Sequence, residues 1–242
     1  MATAPFDLHW SLTTPQIDDN TKKAKTYKPS ELPTLDIPKY FLITDSYVKL
    51  IAPVAGATTT LSEKTRSELR EYTADGSAEQ NWKATGGTHS IGASLVVKDL
   101  PDSDGKGGAF IGQIHVEDGK NPLLKFKCED DGKGTRNLIV SFRANPDANT
   151  ATANSTLMSG VAKGARIQYY AKVNSSGQLS AYFEVNGDRR TFSGDLSLWV
   201  AQNPNTEFYF KAGVYNDVVP GASTGDTDTS EAWFYKLTTT HS

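Results

Sequence analysis

Short segments rich in Val, Ile, Phe, Tyr and Thr alternate with clusters of Gly, Asp, Asn and Pro along most of the chain. A recurrence of roughly 8–12 residues is typical of strands in sandwiches and barrels. The pattern predicts strands at 47–51, 65–72, 91–97, 109–116, 123–128, 137–143, 165–173, 179–185, 207–215 and 231–238. The Asn186-Gly187 pair favours a hairpin turn, and only 195–200 has weak helical character. We therefore predict an all-β fold.

The first 45 residues depart from this pattern because prolines recur through them, at positions 5, 15, 29, 33 and 38. Proline is disfavoured inside helices and in central strands, since it cannot donate a backbone hydrogen bond. We predict an extended, Pro-rich N-terminal segment over 1–45. All-β units of roughly 200–250 residues commonly fold as one domain, so a single domain is expected over 1–242.

Composition narrows the class of protein. Hydrophobic residues form 37% and charged residues 22% of the chain, a balance typical of folded globular proteins. The net charge of -3 offers no basic excess for phosphate contacts. No apolar run approaches the roughly 20 residues that span a bilayer, and no signal peptide is visible. Cys128 is the one cysteine, so no internal disulfide is expected. We expect a monomer with no nucleic-acid or membrane partner.

Some predicted strands carry a polar face opposite an apolar one, because successive side chains of a strand point to opposite sides. The polar faces comprise Arg66, Glu68 and Arg70, then Gln113 and His115, then Tyr209, Lys211 and Tyr215. A sheet with one solvated face explains any single strand, but it predicts Thr, Ser, Lys and Glu there. Guanidinium, amide, imidazole and phenol groups together suit carboxylate binding and proton transfer. Jointly, these faces indicate a site for an anionic substrate.

Other candidate residues have simpler explanations. Trp82, Trp199 and Trp233 could stack on sugar rings, but core packing explains most tryptophans better. His89 follows two glycines, and we place it in a loop or behind the site. His241, near the end of the chain, is given no chemical role. No convincing ligand cluster predicts a metal site.

Three segments resemble the signature of polysaccharide lyase family 7, the alginate lyases. They are Arg66-Ser67-Glu68-Leu69-Arg70-Glu71, Gln113-Ile114-His115 and Tyr209-Phe210-Lys211-Ala212-Gly213-Val214-Tyr215-Asn216. Segments 52–59 and 87–89 extend the resemblance, which runs from about Leu50 to the C-terminus. Segment 10–15 is less similar, because Thr14 occupies a position that is usually apolar. The resemblance implies a β-jelly roll whose concave sheet holds the polymer, and a reaction that needs no metal or other cofactor.

The resemblance also implies roles for the matching residues. Arg66 and Gln113 would contact the substrate carboxylate, whereas His115 and Tyr215 would handle protons. The other matches would orient these groups or bind neighbouring sugars: Glu68, Arg70, Tyr209, Lys211 and Asn216. Ile114 within the Gln-x-His motif implies a preference for guluronate-containing blocks. The expected partner is alginate, an anionic polysaccharide, and a polymer too large to cross a membrane suggests a secreted enzyme.

The chemistry of β-elimination explains why carboxylate-binding and proton-transferring side chains are needed together. Elimination across C4–C5 of a uronate removes a proton beside a carboxylate, whose negative charge opposes carbanion formation. Arg66 and Gln113 could stabilise the developing charge, and one such donor is typically worth about 3 kcal/mol. An imidazole or a phenol can then act as the base and as the acid that protonates the departing oxygen.

Three other functions remain open from the residues. A lyase of another uronan, such as glucuronan, would use the same carboxylate chemistry. A glycoside hydrolase would need two carboxylates about 5–10 Å apart, but Glu68 lies between two arginines on its face, which suits an ion pair better than a general acid. A non-catalytic carbohydrate-binding module would not need both His115 and Tyr215.

Overall fold

The computed structural model describes the chain except residues 1, 2, 105, 118, 120, 148 and 222. Most of it is folded into two antiparallel sheets, named sheet A and sheet B. Sheet A comprises β1 (Trp10–Ile17), β2 (Ala24–Tyr27), β5 (Arg66–Glu71), β6 (Trp82–Lys83), β8 (Gly108–Val116), β9 (Leu124–Asp130), β10 (Thr135–Phe142), β11 (Ala153–Ala162) and β15 (Glu207–Asn216). Sheet B comprises β3 (Phe41–Ile43), β4 (Val48–Pro53), β7 (His89–Asp99), β12 (Arg166–Val173), β13 (Gln178–Val185), β14 (Asp188–Asp195) and β16 (Thr229–His241).

The helical segments of the described ranges are short. They are a 3-10 helix (Pro29–Thr34) and α1 (Ser197–Gln202). Neither is long and apolar enough to cross a membrane.

The strand order brings distant parts of the chain side by side. Sheet A runs β11-β10-β9-β8-β15-β5-β1-β2, with β6 pairing β15, and sheet B runs β14-β13-β12-β7-β16-β4-β3. Strands β8 to β11 follow one another as hairpins, but β15 lies between β8 and β5. The strands that carry the polar faces, β5, β8 and β15, are therefore direct neighbours.

The hydrophobic core lies between the two sheets. Leu69, Ile114 and Phe210 from sheet A are fully buried, as are Leu95 and Phe234 from sheet B. Because side chains alternate along a strand, burying these residues turns their neighbours on β5, β8 and β15 to the outer face of sheet A.

The all-β prediction is confirmed, and every predicted strand is present with ends shifted by a few residues. The weak helix predicted at 195–200 corresponds to α1. The pattern missed β11, at one edge of sheet A, and β14, at one edge of sheet B. Most of their residues are exposed or half-buried, so they lack the apolar alternation by which strands are recognised.

Segment 1–45 includes the extended strands β1, β2 and β3, but the expectation that its prolines exclude a central strand is wrong. β1 lies between β2 and β5, and Trp10 and Leu12 on it are buried in the core. Pro15 is tolerated because the pairing of β1 with β5 ends at Thr13, and the pairing with β2 shifts register after Thr14. Proline at a strand irregularity removes no ladder hydrogen bond.

Candidate active site

The outer face of sheet A forms a groove with a volume of about 920 Å³. Among the residues that line it are all those predicted to bind the carboxylate or move protons: Arg66, Gln113, His115 and Tyr215. Tyr209 and Lys211 line it too. Strand pairing sets their lateral neighbours, since Gln113 pairs with Lys211, Lys211 with Arg70, Tyr215 with Arg66, and His115 with Tyr209. The structure thus brings the sequence-predicted polar faces together in one site.

Glu68 is the electrostatic centre of the site. Its carboxylate is 2% exposed and accepts hydrogen bonds from Lys211 Nζ at 2.6 Å, Arg66 Nη1 at 3.2 Å and the side-chain amide of Gln113. Burial alone would raise the pKa of Glu68, but Lys211 and Arg66 outweigh it and hold that pKa below its usual value. Glu68 is therefore an ionised group that orients three neighbours.

A glycine makes room for this arrangement. Gly213 pairs with Glu68 across β15 and β5, and its φ of +150° is rarely adopted by other residues. A Cβ atom at this position would lie 2.4 Å from the Ser67 carbonyl oxygen and 2.7 Å from Glu68 Cα. Any side chain here would push β15 away from β5, so the Tyr-x-Lys-Ala-Gly segment needs glycine for close strand contact.

Tyr215 is held between a cation and a hydroxyl. The guanidinium carbon of Arg66 lies 3.9 Å from the centre of the Tyr215 ring. The phenol oxygen lies 2.8 Å from Ser62 Oγ, which also accepts a hydrogen bond from the Lys64 backbone N–H at 3.0 Å. Strand alternation could not single out Ser62, because it lies in the loop before β5 rather than on a strand face.

His115 is a neutral imidazole in this site. Its Nδ1 lies 3.0 Å from both the backbone nitrogen and the backbone oxygen of Val116, and its ring stacks on Tyr209 with centres 5.2 Å apart. Burial, and then the nearby charge of Lys211, lower the pKa of His115 to about 4. The ring is therefore unprotonated near neutral pH and is able to accept a proton.

Tyr209 and Arg70 form a second cation–aromatic pair in the site. The Arg70 guanidinium carbon lies 4.0 Å from the Tyr209 ring centre. Its Nη2 lies 2.8 Å from a Glu117 carboxylate oxygen and its Nη1 lies 3.0 Å from one of Glu79. Burial raises the pKa of Tyr209 to about 12, although Arg70 opposes the shift. Tyr209 therefore keeps its proton and can donate a hydrogen bond, and Arg70 is neutralised by its own carboxylates.

Lysines on the β9 side of the groove were missed by the sequence interpretation. Asp217 binds Lys64 Nζ with one carboxylate oxygen at 2.7 Å and Lys127 Nζ with the other at 2.7 Å. Lys125, the residue that pairs with Gln113, lies beside them and lines the groove. The alternation of β9 was the available signal, since Lys125 and Lys127 are half-buried between fully buried Leu124, Phe126 and Cys128.

The prediction that Asn216 contacts substrate is wrong. Its side chain is 0% exposed and points between the sheets, because Asn216 follows Tyr215 and so faces the opposite side of β15. Its Nδ2 donates to the Ala52 carbonyl at 3.0 Å and to Thr65 Oγ1 at 2.8 Å, and its Oδ1 accepts from Ser230. Asn216 therefore joins the two sheets behind the site.

A pair of histidines, of which His89 is buried, lies outside the groove. His89 is the first residue of β7 rather than a loop residue, and its Nδ1 lies 2.9 Å from Nδ1 of His241. His241 Nε2 lies 3.0 Å from a buried oxygen of Glu71. The ring of Trp82 stacks on His89 within the core, as expected for a packing tryptophan. Within the described ranges, no group of three or more His, Cys, Asp or Glu residues could hold a metal ion.

Comparisons with known proteins gave matches in both sequence and structure. A family model described as alginate lyase matches residues 6–241. An alginate lyase from Pseudomonas aeruginosa has a similar structure, with a TM-score of 0.81, 30% identity, and coverage of 98% of this chain and 100% of that one. Alginate lyase A1-II′, a member of polysaccharide lyase family 7, is also 30% identical, with a TM-score of 0.76 and 99% of each chain covered.

Two further structures extend these comparisons. A variant of A1-II′ with one histidine and one tyrosine replaced, in complex with the substrate GGMG, has a TM-score of 0.75 at 30% identity and covers 100% of this chain and 98% of that one. The alginate lyase from Klebsiella pneumoniae, 22% identical, shares the fold with a TM-score of 0.85 and 99% of each chain covered. These likenesses confirm the predicted jelly roll. A search of curated proteins found no match.

Proposed function

The chain belongs to the alginate lyase family, and from that membership we propose that it cleaves the 1,4-linked uronate polymer alginate by β-elimination, leaving an unsaturated sugar at the new chain end. The protein is a polysaccharide lyase. We place it in family 7, the family stated for A1-II′, because the two chains are 30% identical over 99% of their length.

The observation that carries the proposal is the meeting of two kinds of group in one groove. Arg66 and Gln113 can bind a carboxylate, and His115 and Tyr215 can exchange protons; all of these residues line the same cavity. A hydrolase would need a pair of carboxyl groups to protonate the leaving group and activate water or attack. Glu68, buried and bound by two cations, is not free for either task.

Charge balance supports the role of Arg66 and Gln113. Arg66 and Lys211 share the single carboxylate of Glu68, so this cluster keeps one surplus positive charge for the carboxylate of the substrate. An ionised carboxylate can only accept hydrogen bonds, so Glu68 fixes the Gln113 amide with its NH₂ group towards the site. The second N–H of that group remains to stabilise the enolate-like charge as the C5 proton leaves.

The stereochemistry of the sugar decides whether Tyr215 alone or both His115 and Tyr215 transfer protons. In mannuronate the C5 hydrogen and the C4 oxygen lie on the same side of the ring, so Tyr215 alone can take the proton and return it to O4. In guluronate they lie on opposite sides, so His115 acts as base and Tyr215 as acid. A bound uronate places negative charge near His115, which raises its pKa from about 4 and strengthens it as a base.

We further propose a preference for guluronate-containing blocks and secretion of the enzyme. Ile114 of the Gln-x-His motif is buried behind the groove, so any influence on preference acts through the packing of Gln113 and His115. The substrate and product complexes of A1-II′ carry the oligosaccharides GGMG and GGG. The size of the polymer supports an extracellular site of action.

A direct test follows the ultraviolet absorbance of the new conjugated double bond. The protein is incubated separately with mannuronate blocks, guluronate blocks and glucuronan, with Tyr215→Phe as the matched inactive variant. We expect absorbance to rise with alginate blocks, fastest with guluronate, and not in the variant. A rise with glucuronan alone would favour the other uronan lyase, and no rise with any polymer would contradict elimination chemistry.

A further inference from the structure

The cations of the groove are not equally neutralised. In the first cluster, Arg66 and Lys211 face Glu68, which leaves one positive charge for the reacting carboxylate. Arg70 has the opposite balance, because both Glu79 and Glu117 bind it. The charges at the β9 side of the groove are not needed for the proposed elimination step.

At that side, two lysines occupy the available carboxylates. Lys64 and Lys127 each bind one oxygen of Asp217 at 2.7 Å, and Lys127 also binds Glu129. Lys125 makes no ion pair among the residues that the structure describes; its Nζ lies 4.1 Å from the centre of the Phe110 ring. Lys125 is therefore the surplus cation of this second cluster.

The position of Lys125 directs this charge into the groove. Lys125 pairs with Gln113, so the two side chains project from neighbouring strands on the same face of sheet A. Neighbouring strands are about 4.8 Å apart, which is close to the width of one sugar ring. The Phe110 ring beneath Lys125 also contacts the Tyr215 ring, with centres 5.6 Å apart. Lys125 is thus within the space that a sugar next to the reacting one would occupy.

Electrostatics favour an anionic ligand at this point. Burial, together with the charges of Lys64 and Lys127, lowers the pKa of Lys125, although Asp217 opposes the shift. A half-buried cation without a counter-ion is unfavourable, and a carboxylate beside it relieves both desolvation and repulsion.

We propose that Lys125 binds a second carboxylate of the polymer, on a uronate next to the one that reacts, and so determines affinity for the uronate chain rather than the rate of elimination. The inference rests on the proposed function, because it requires a polyuronate in the groove. It makes Lys125 a substrate-binding residue outside the motifs that the sequence singled out.

The test separates KM from kcat. Lys125→Met removes the charge and keeps most of the apolar stem, and Lys125→Arg keeps the charge. The matched control is Lys172→Met, an exposed lysine on β12 of sheet B that changes the net charge equally. On guluronate blocks at low salt we expect Lys125→Met to raise KM about tenfold, as for the loss of one charge-assisted hydrogen bond, with kcat within about twofold.

The Lys125→Arg variant and the salt dependence of KM distinguish a direct substrate contact from a structural effect of the substitution. We expect Lys125→Arg to recover most of the lost affinity, and Lys172→Met to leave KM unchanged. The difference between wild type and Lys125→Met should shrink at about 1 M salt, where the screening length falls to about 3 Å. Binding of guluronate blocks is measured by calorimetry with Lys125→Met introduced into the Tyr215→Phe variant. This measurement of affinity does not depend on turnover.

Specific outcomes would overturn the inference. They are an unchanged KM in Lys125→Met, a fall in kcat alone, or an equal rise of KM in Lys172→Met. A different result would refute the proposed function itself: a wild-type protein that neither binds nor cleaves any uronan. Wild-type cleavage with an unchanged KM in Lys125→Met leaves the lyase function intact and removes only the role of Lys125.

Discussion

Replacing Glu68 by glutamine tests the central feature of the site. The change keeps the shape of the side chain but removes the buried charge that Arg66 and Lys211 share. Both cations are then left without a carboxylate. The Gln113 amide faces a group that can donate as well as accept, so its direction is no longer fixed. Breaking a buried ion pair by removing one partner typically costs about 3–5 kcal/mol. For a chain of this size each kcal/mol lowers Tm by roughly 2–4 °C, so we expect a fall of about 10 °C.

Activity should fall more than stability alone explains. We expect Glu68→Gln to reduce kcat at least about 100-fold at a temperature where the variant is folded, because Arg66 and Gln113 are no longer held towards the developing charge. The matched control is Glu184→Gln, which removes the carboxylate of the Glu184–Arg189 pair on the exposed face of sheet B. A surface pair of this kind contributes about 0–1 kcal/mol.

The assays are urea unfolding and the ultraviolet assay on guluronate blocks. Removing Lys211 as well, in Glu68→Gln/Lys211→Met, should recover part of the stability, because one buried cation no longer lacks a partner, but not the activity. A stability loss in Glu68→Gln below about 1 kcal/mol, equal to that of Glu184→Gln, would refute the view of Glu68 as a buried charge centre. Unchanged kcat in folded Glu68→Gln would refute its orienting role.

Further predictions concern single residues. Tyr215→Phe should abolish cleavage of every block type. His115→Ala, measured on pure blocks, should lower the rate of guluronate cleavage far more than that of mannuronate cleavage. Equal losses on both blocks would mean that His115 only positions other groups. Gln113→Ala should cut kcat about 100-fold with little change in KM, and a change in KM alone would make Gln113 an ordinary binding contact. Burial, and then the nearby His241, lower the pKa of His89 to about 4. The folded protein therefore binds this proton less readily than the unfolded chain does. The contribution of His89 to the free energy of unfolding is complete above the ordinary pKa of about 6.5 and is lost as the pH falls towards 4. His89→Phe, which can still stack on Trp82, should therefore lose less Tm than wild type between pH 7 and pH 4.5, and equal losses would contradict this cause.

Sequence reasoning predicted those strands whose local pattern of apolar and polar residues matches their surroundings in the folded protein. Strands such as β5 and β8 alternate between a buried face and a polar face, so their existence and the side on which Gln113 and His115 lie follow from the two-residue period. The same period places Asn216 on the face opposite Tyr215. The motif predicts Asn216 as a substrate contact, but the alternation predicts that it faces the core. The edge strands β11 and β14 bury little, and they left no such pattern.

Which strands are neighbours and which charges are paired could not be predicted from local sequence, because both depend on the complete fold. β15 lies between β8 and β5, although long stretches of chain separate them, and this order sets Lys211 and Arg66 around Glu68. Whether a lysine is neutralised depends on carboxylates brought from elsewhere in the chain, as Asp217 is brought to Lys64 and Lys127. Lys125 looks like its neighbours in the sequence, but among the described residues the fold brings no carboxylate into an ion pair with it. Electrostatic interactions depend on distance in space and not on separation along the chain.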